Sequence, residues 1–326
     1  MLENVFITGG AGFVGSHFVD RLLSGDVKKV TVFDNFSSGK NWHLSHHTDS
    51  RLHIIAGEIG NLPALEEAMN GHETVIHLAS NPDIARAATE PTIDFDQGTI
   101  LTNNVVEAMR RTGAKRILYS SGSGVYGDTG ELEVAEDYGP MVPISTYGAS
   151  KLAGEALISA YCYMFDMSGV AFRFGNVVGP RQTHGVGYDF IRKLRETPAH
   201  LDILGDGKQS KSYVYITDII DAVLLAHEKV TKPFEVFNVA TGDYITVKEI
   251  AGIAIGLAIG PQATVHLRFS GGDRGWKGDV PVVRLNTEKI KALGWSRKHS
   301  SAEAIKKSIK DMLEQNQAAA SGRRAD

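Results

Sequence analysis

The sequence predicts an α/β fold, a doubly wound parallel sheet followed by a smaller C-terminal α/β domain. Three observations carry this. Short β-branched apolar runs alternate with helix-length amphipathic segments as far as residue 174. A glycine-rich turn, Gly9-Gly10-Ala11-Gly12-Phe13-Val14-Gly15, follows the first of those runs directly. After Asn176 the alternation breaks into shorter elements, separated by loops such as Gly205-Asp206-Gly207 and Gly271-Gly272-Asp273.

Taken in order, strands are expected at 4–8, 30–33, 52–55, 74–78, 116–120 and 170–174, with helical segments at 12–23, 63–69, 93–111 and 145–165. Parallel neighbours need a crossover between them, so the helices fall on both faces of one sheet. The first domain is placed at 1–175 and the second at 176–317. From Ala318 to Asp326 only small, polar and charged residues remain, and a disordered tail is expected.

The bulk composition excludes several functions. Of 326 residues, 42% are hydrophobic and 22% charged, the balance of an ordinary globular protein. Acidic residues (38) and basic ones (34) are interspersed, and no basic stripe offers a surface to nucleic acid or anionic lipid. The single Cys162 excludes an intramolecular disulfide; flanked by Tyr161 and Tyr163 in an apolar helical run, it reads as a small buried residue. The first strand opens close to Met1, so no secretory leader is expected, and the apolar stretch 251–260 is about half of what a membrane span requires. The expected location is cytoplasmic, without a membrane partner. His43, His46 and His47 have a spacing able to hold a metal, but their polar neighbours Asn41, Ser45, Thr48 and Asp49 point to solvated surface histidines, and no metal is expected.

Val5-Phe6-Ile7 runs straight into the glycine turn, and a helix with Phe18 and Leu22 on one face follows. Strand, tight turn and helix N-terminus together make a pyrophosphate cradle, because glycines admit close backbone approach and the helix dipole favours an anion. The next strand ends at Asp34, where this fingerprint places a carboxylate on the adenosine ribose. A carboxylate repels a 2′-phosphate, and no arginine occurs between Asp34 and Arg51, so NAD is favoured over NADP despite Lys40. Further on, Ser145-Thr146-Tyr147-Gly148-Ala149-Ser150-Lys151 opens a helix in which Tyr147 and Lys151 share a face one turn apart. A neighbouring ammonium and a cationic nicotinamide both favour the phenolate, so Tyr147 is expected to take a proton from a substrate hydroxyl, with Lys151 lowering its pKa.

Further motifs are His77-Leu78-Ala79-Ser80, Tyr119-Ser120-Ser121-Gly122-Ser123-Gly124-Val125-Tyr126-Gly127, Arg173-Phe174-Gly175-Asn176-Val177-Val178-Gly179-Pro180-Arg181 and Tyr213-Val214-Tyr215-Ile216-Thr217-Asp218. With them the chain, from Asn4 to about Trp295, resembles the extended short-chain dehydrogenase/reductase family, and within it the nucleotide-sugar epimerases and dehydratases. The resemblance implies a Rossmann-type NAD domain at 1–175 and a nucleotide-sugar-binding domain at 176–317. It implies cofactor contacts from Gly9, Gly12, Phe13, Val14, Gly15, Asp34, Asn35, Ser37, Glu58, Ile59, Leu78, Ala79, Ser80, Phe174, Tyr147 and Lys151. Substrate contacts fall on Ser123, Asn176, Lys211 and Arg274, and Val283 aligns near the residue that limits room around the sugar.

Relatives that dehydrate carry an acid where this chain has Gly124, so the resemblance favours NAD-dependent epimerisation at C4, with UDP-glucose/UDP-galactose first. UDP-glucuronate, a UDP-N-acetylhexosamine and 4,6-dehydration are the alternatives, and a non-catalytic NAD-sensing module is the alternative outside enzymes. Two departures stand out. The family's catalytic Ser or Thr falls on Gly122, leaving Ser121 or Ser123 to replace it. A helix-start Asn falls on Gly98 before Thr102, with Asn103 as a displaced candidate. The resemblance also implies a homodimer built on the helices at 93–111 and 145–165, where Val105, Val106 and Met109, or Leu157, Tyr161 and Phe165, form apolar stripes; core burial explains those stripes equally well.

Overall fold

The computed structural model describes residues 2–320. A seven-stranded, wholly parallel sheet lies at its centre. Its strands are β1 (Asn4–Thr8), β2 (Lys29–Asp34), β3 (Leu52–Ala56), β4 (Thr74–His77), β5 (Arg116–Ser120), β6 (Ser168–Phe174) and β7 (Phe234–Val239). They are arranged β3-β2-β1-β4-β5-β6-β7. Alternate residues of each strand serve opposite faces: Val5 and Ile7 join one core with Val30, Val32 and Phe172, while Phe6 joins the other with Phe33, Val75 and Tyr119. β1, β2, β4, β5 and β6 are buried on both faces and read as continuous apolar runs, whereas the edge strand β3 is largely exposed.

The helices are α1 (Phe13–Leu23), α2 (Leu62–Met69), α3 (Leu101–Thr112), α4 (Thr146–Met164), α5 (Val186–Glu196), α6 (Ile216–Lys229), α7 (Val247–Ala258), α8 (Glu288–Ala292) and α9 (Ser301–Ala320). Side chains of α1 and α6 enter the first core, those of α2, α3 and α4 the second. In the C-terminal part, α7 begins at a capping box between Thr246 and Glu249. The chain leaves β1 toward β2 and later returns to β4 on its other side. That reversal opens a crevice beyond the carboxyl ends of β1 and β4, where α/β sheets take their ligands.

Several expectations are corrected. The seventh strand, β7, lies well beyond residue 175 and pairs with β6 from Phe234↔Gly169 to Val239↔Phe174, so a cut at 175 does not separate the sheet from the C-terminal part of the chain. Of the expected tail, Ala318 to Ala320 continue α9, and 321–326 lie outside the described residues. Val105, Val106 and Met109 are fully buried in the core of the same chain, not on a free helix face. His43 is buried too, its Nδ1 2.7 Å from the Ala11 carbonyl, because its loop folds back over the glycine turn. His46 and His47 meet Asp20 instead, at 3.2 and 2.7 Å, and the other oxygen of Asp20 faces Arg181 at 2.7 Å. Cys162 is buried as expected, and burial pushes its thiol up to about 11.

Candidate active site

The crevice is a cleft of about 780 Å³. At one end the glycine turn explains itself sterically. Gly9 has φ +72°, and a Cβ on it would stand 2.8 Å from the Ala79 backbone nitrogen; a Cβ on Gly15 would stand 2.6 Å from Gly10 Cα. Helix α1 is capped by Gly12 with no side-chain hydrogen bond, leaving its first N–H groups free for an anion. Gly9, Gly12, Phe13, Val14 and Gly15 all line the cleft.

Asp34 ends β2 nearly buried. Its two oxygens accept the Ala11 and Phe36 amides at 2.9 and 2.8 Å, and burial raises its pKa against those bonds. Asn35, Ser37, Glu58 and Ile59 continue this wall, with Leu78, Ala79, Ser80 and Phe174 further along. Lys40 is exposed and does not line the cleft, whereas Asp34 and Glu58 do. A dinucleotide with a free ribose hydroxyl fits this end, and a 2′-phosphate does not.

Helix α4 carries Tyr147 and Lys151, the pair expected to transfer the proton. Ser145 caps it by accepting the Gly148 amide at 3.1 Å, so Tyr147 stands in the first turn at the cleft wall. Lys151 is buried one turn later. Its Nζ donates to the Ser120 carbonyl at 2.7 Å and lies 5.5 Å from the centre of the Tyr147 ring. Burial pushes Tyr147 up to about 12, the Asp94 charge adds to this, and a Ser80 hydrogen bond opposes it. Burial also lowers Lys151 to about 8, and Asp94 resists that shift. Desolvation thus opposes the phenolate that the Lys151 ammonium and a cationic nicotinamide are expected to favour.

The two candidate serines differ in what their hydroxyls bond. Ser121 is buried and donates its hydroxyl to Glu155, away from Tyr147. Both serines line the cleft, and the Ser123 hydroxyl has no hydrogen-bond partner among the described residues. Gly122 has an extended backbone that any residue adopts, and a Cβ there would lie 4.0 Å from Tyr147 Cε1. Gly122→Ser should thus fold normally and place a hydroxyl beside the phenol. We expect kcat to rise about tenfold with little change in KM, as for an added transition-state donor; steady-state kinetics check this, and an unchanged kcat would mean that Ser123 already provides the contact. The position of the helix-start Asn is also explained: a Cβ on Gly98 would run into the Ser150 side chain, and Asn103 points outward from α3 away from the cleft.

The sequence model of the NAD dependent epimerase/dehydratase family matches residues 5–240. The chain belongs to this family. A UDP-glucose 4-epimerase of Mycolicibacterium smegmatis is 31% identical over 318 residues, covering 93% of this chain and 96% of that protein. Among solved structures, the UDP-glucose 4-epimerase of Thermotoga maritima with UDP-glucose is 30% identical, with a TM-score of 0.85 and coverage of 96% of this chain and 99% of that one. The Thermus thermophilus UDP-glucose 4-epimerase in complex with NAD is 28% identical, with a TM-score of 0.84 and coverage of 94% and 98%. As a member of this family, the protein is an NAD-dependent enzyme.

In this epimerase/dehydratase the far end of the cleft departs from the sequence expectation. Asn176 and Lys211 line it, but the Lys211 ammonium is paired with Asp279 at 2.6 Å. Arg274 does not line it. Its guanidinium binds Asp128 at 2.6 Å and the Asp279 carbonyl at 2.9 Å, latching two loops together. Val283 does line the cleft. The sequence reading missed Gln182, Thr183 and His184, Asp189 and Lys193 of α5, and Gln209 and Trp276, all on this end of the cleft. The available signal was Gly185, whose φ of +99° turns the chain into α5 immediately after those loop residues.

Proposed function

We propose that this enzyme interconverts the two C4 configurations of a UDP-sugar, UDP-glucose/UDP-galactose first, through a transient 4-keto sugar. The observation that carries the reading is Tyr147 at the cleft wall with the buried Lys151 ammonium behind it and glycine at position 124, where elimination of water would call for an acid. The 4-epimerase names of the relatives support it. When bound, NAD supplies a hydride acceptor and the positive charge of its nicotinamide. Tyr147 takes the proton of the C4 hydroxyl and later returns it. Lys151, at about 8, stays mostly protonated at neutral pH, and its charge favours the phenolate that burial opposes. Ser123 offers its hydroxyl to the reacting oxygen.

The test is a panel of UDP-, TDP- and GDP-sugars, including UDP-glucuronate and UDP-N-acetylglucosamine, resolved by capillary electrophoresis. UDP-glucose and UDP-galactose should reach the same mixture from either side. Accumulation of a 4-keto-6-deoxy sugar would sink the epimerase reading, and tight NAD binding without any turnover would support a sensing role. A cytoplasmic homodimer is part of the proposal. The lone buried thiol fits a reducing compartment, and no helix among the described residues is long and apolar enough to cross a membrane. Phe95, Ile100, Tyr163 and Met164 are exposed apolar residues on and beside α3 and α4, the helices on which the dimer is expected. Sedimentation at the mass of one 35.3 kDa chain would contradict the dimer.

A further inference from the structure

Asp94 lies between the two segments that flank Tyr147. It is 1% exposed, and no lysine, arginine or histidine among the described residues pairs with it. One oxygen accepts from Asn81 Nδ2 at 2.9 Å and the other from Thr146 Oγ1 at 2.7 Å. Thr146 is the first residue of α4 and the chain neighbour of Tyr147. Asn81 follows Ser80, which lines the cleft as Tyr147 does, and Asn81 is itself locked onto Asp83 through the backbone at 2.9 and 3.0 Å. A carboxylate buried without a counter-ion is costly, and here it joins the loop after β4 to the start of the catalytic helix.

We propose that Asp94 is a positioning residue for proton transfer, holding the Tyr147 phenol in place by tying the loop that carries Ser80 and Asn81 to Thr146 at the start of α4. This rests on Tyr147 being the base of the reaction proposed above. The titratable groups around the phenol are Lys151 on its own helix, Tyr119 of β5, His77 of β4 and Asp94. Burial keeps Tyr119 and His77 neutral, the latter at about 3. The Asp94 charge raises both Tyr147 and Lys151. Removing it should make the phenolate easier to form.

The experiment compares Asp94→Asn and Asp94→Ala with the wild type as full-length, NAD-loaded protein. Asn keeps both bonds, accepting from Asn81 and donating to Thr146 Oγ1, while Ala keeps neither. Ultraviolet difference titration follows the phenolate, assigned by its loss in Tyr147→Phe. In Asp94→Asn the Tyr147 pKa should fall by about half a unit or more, with the acid limb of the kcat profile moving down alongside it. Asp94→Ala should lose about tenfold or more in kcat through misplacement of the phenol, and Asp94→Asn should recover most of that loss. A titration of Asp94→Asn that superimposes on the wild type, or an Asp94→Ala kcat within about twofold of it, would overturn the proposal. The titration needs no sugar turnover, so failure of the epimerase reading and failure of the Asp94 role are told apart.

Discussion

Replacing Tyr147 with phenylalanine is expected to lower kcat by about 10³-fold or more while leaving NAD binding within about threefold, because it removes a general acid/base and keeps the ring. The phenol oxygen is the only part of the side chain that changes. The ring stays packed at the start of α4, and the cradle formed by Gly9, Gly15 and Asp34 lies on other elements. The pH dependence stems from the same environment. Burial and Asp94 hold Tyr147 near 12, so at neutral pH the base is protonated until positive charge arrives beside it. The wild-type kcat should therefore rise with pH along its acid limb, to an apparent pKa well below 12 once the cofactor is bound. In Tyr147→Phe that limb should vanish. Equilibrium NAD titration and a pH series of initial rates check both halves, and a variant turning over within about tenfold of the wild type would remove Tyr147 from the mechanism.

The second large effect concerns stability. Arg173 of β6 and Glu155 of α4 are both almost completely buried, with contacts of 2.7, 3.0 and 3.3 Å between guanidinium and carboxylate. Arg173 also donates to the Tyr126 hydroxyl at 2.8 Å and the Glu136 carbonyl at 3.1 Å, and Ser121 completes the carboxylate's shell. Arg173→Leu removes the cation and leaves Glu155 buried with only the Ser121 hydroxyl, a change worth about 3–5 kcal/mol. Urea unfolding should show that loss as a lower midpoint with an unchanged slope. The double variant with Glu155→Leu should regain much of it, because no buried charge then remains. A single variant losing under about 1 kcal/mol would show that water reaches the carboxylate. Glu155 lies one turn beyond Lys151, so the pair also anchors the catalytic helix to the sheet.

The fold was legible in the chain because its signals are short-ranged. A strand buried on both faces announces itself in five residues, and strand, glycines and helix start are consecutive in β1, 9–15 and α1. Asp34 is given by strand length, and Tyr147 and Lys151 by one helical turn. Each residue expected at the cofactor end lines the cleft except Lys151, which stands buried behind Tyr147. Less was legible where a side chain's role depends on a remote partner. Arg274 has the sequence context of a phosphate ligand, yet it is bound to Asp128, 146 positions away. Ser121 and Ser123 are equivalent in sequence and were separated only by Glu155, 34 positions beyond the first of them. His43 has the polar neighbours of a solvated side chain, but its loop folds over Ala11.

The sequence by itself thus determined the parallel sheet, the dinucleotide turn, the preference for NAD and the Tyr147–Lys151 pair, because each is written in neighbours along the chain. Tertiary structure decided which serine hydroxyl Glu155 takes up, where Arg274 and Lys211 place their charge, the entry of β7 into the sheet and the place of Asp94 between Asn81 and Thr146. The physical reason is that hydrogen bonds, ion pairs and desolvation act over a few ångströms of space, and packing brings within that range residues that the chain holds far apart.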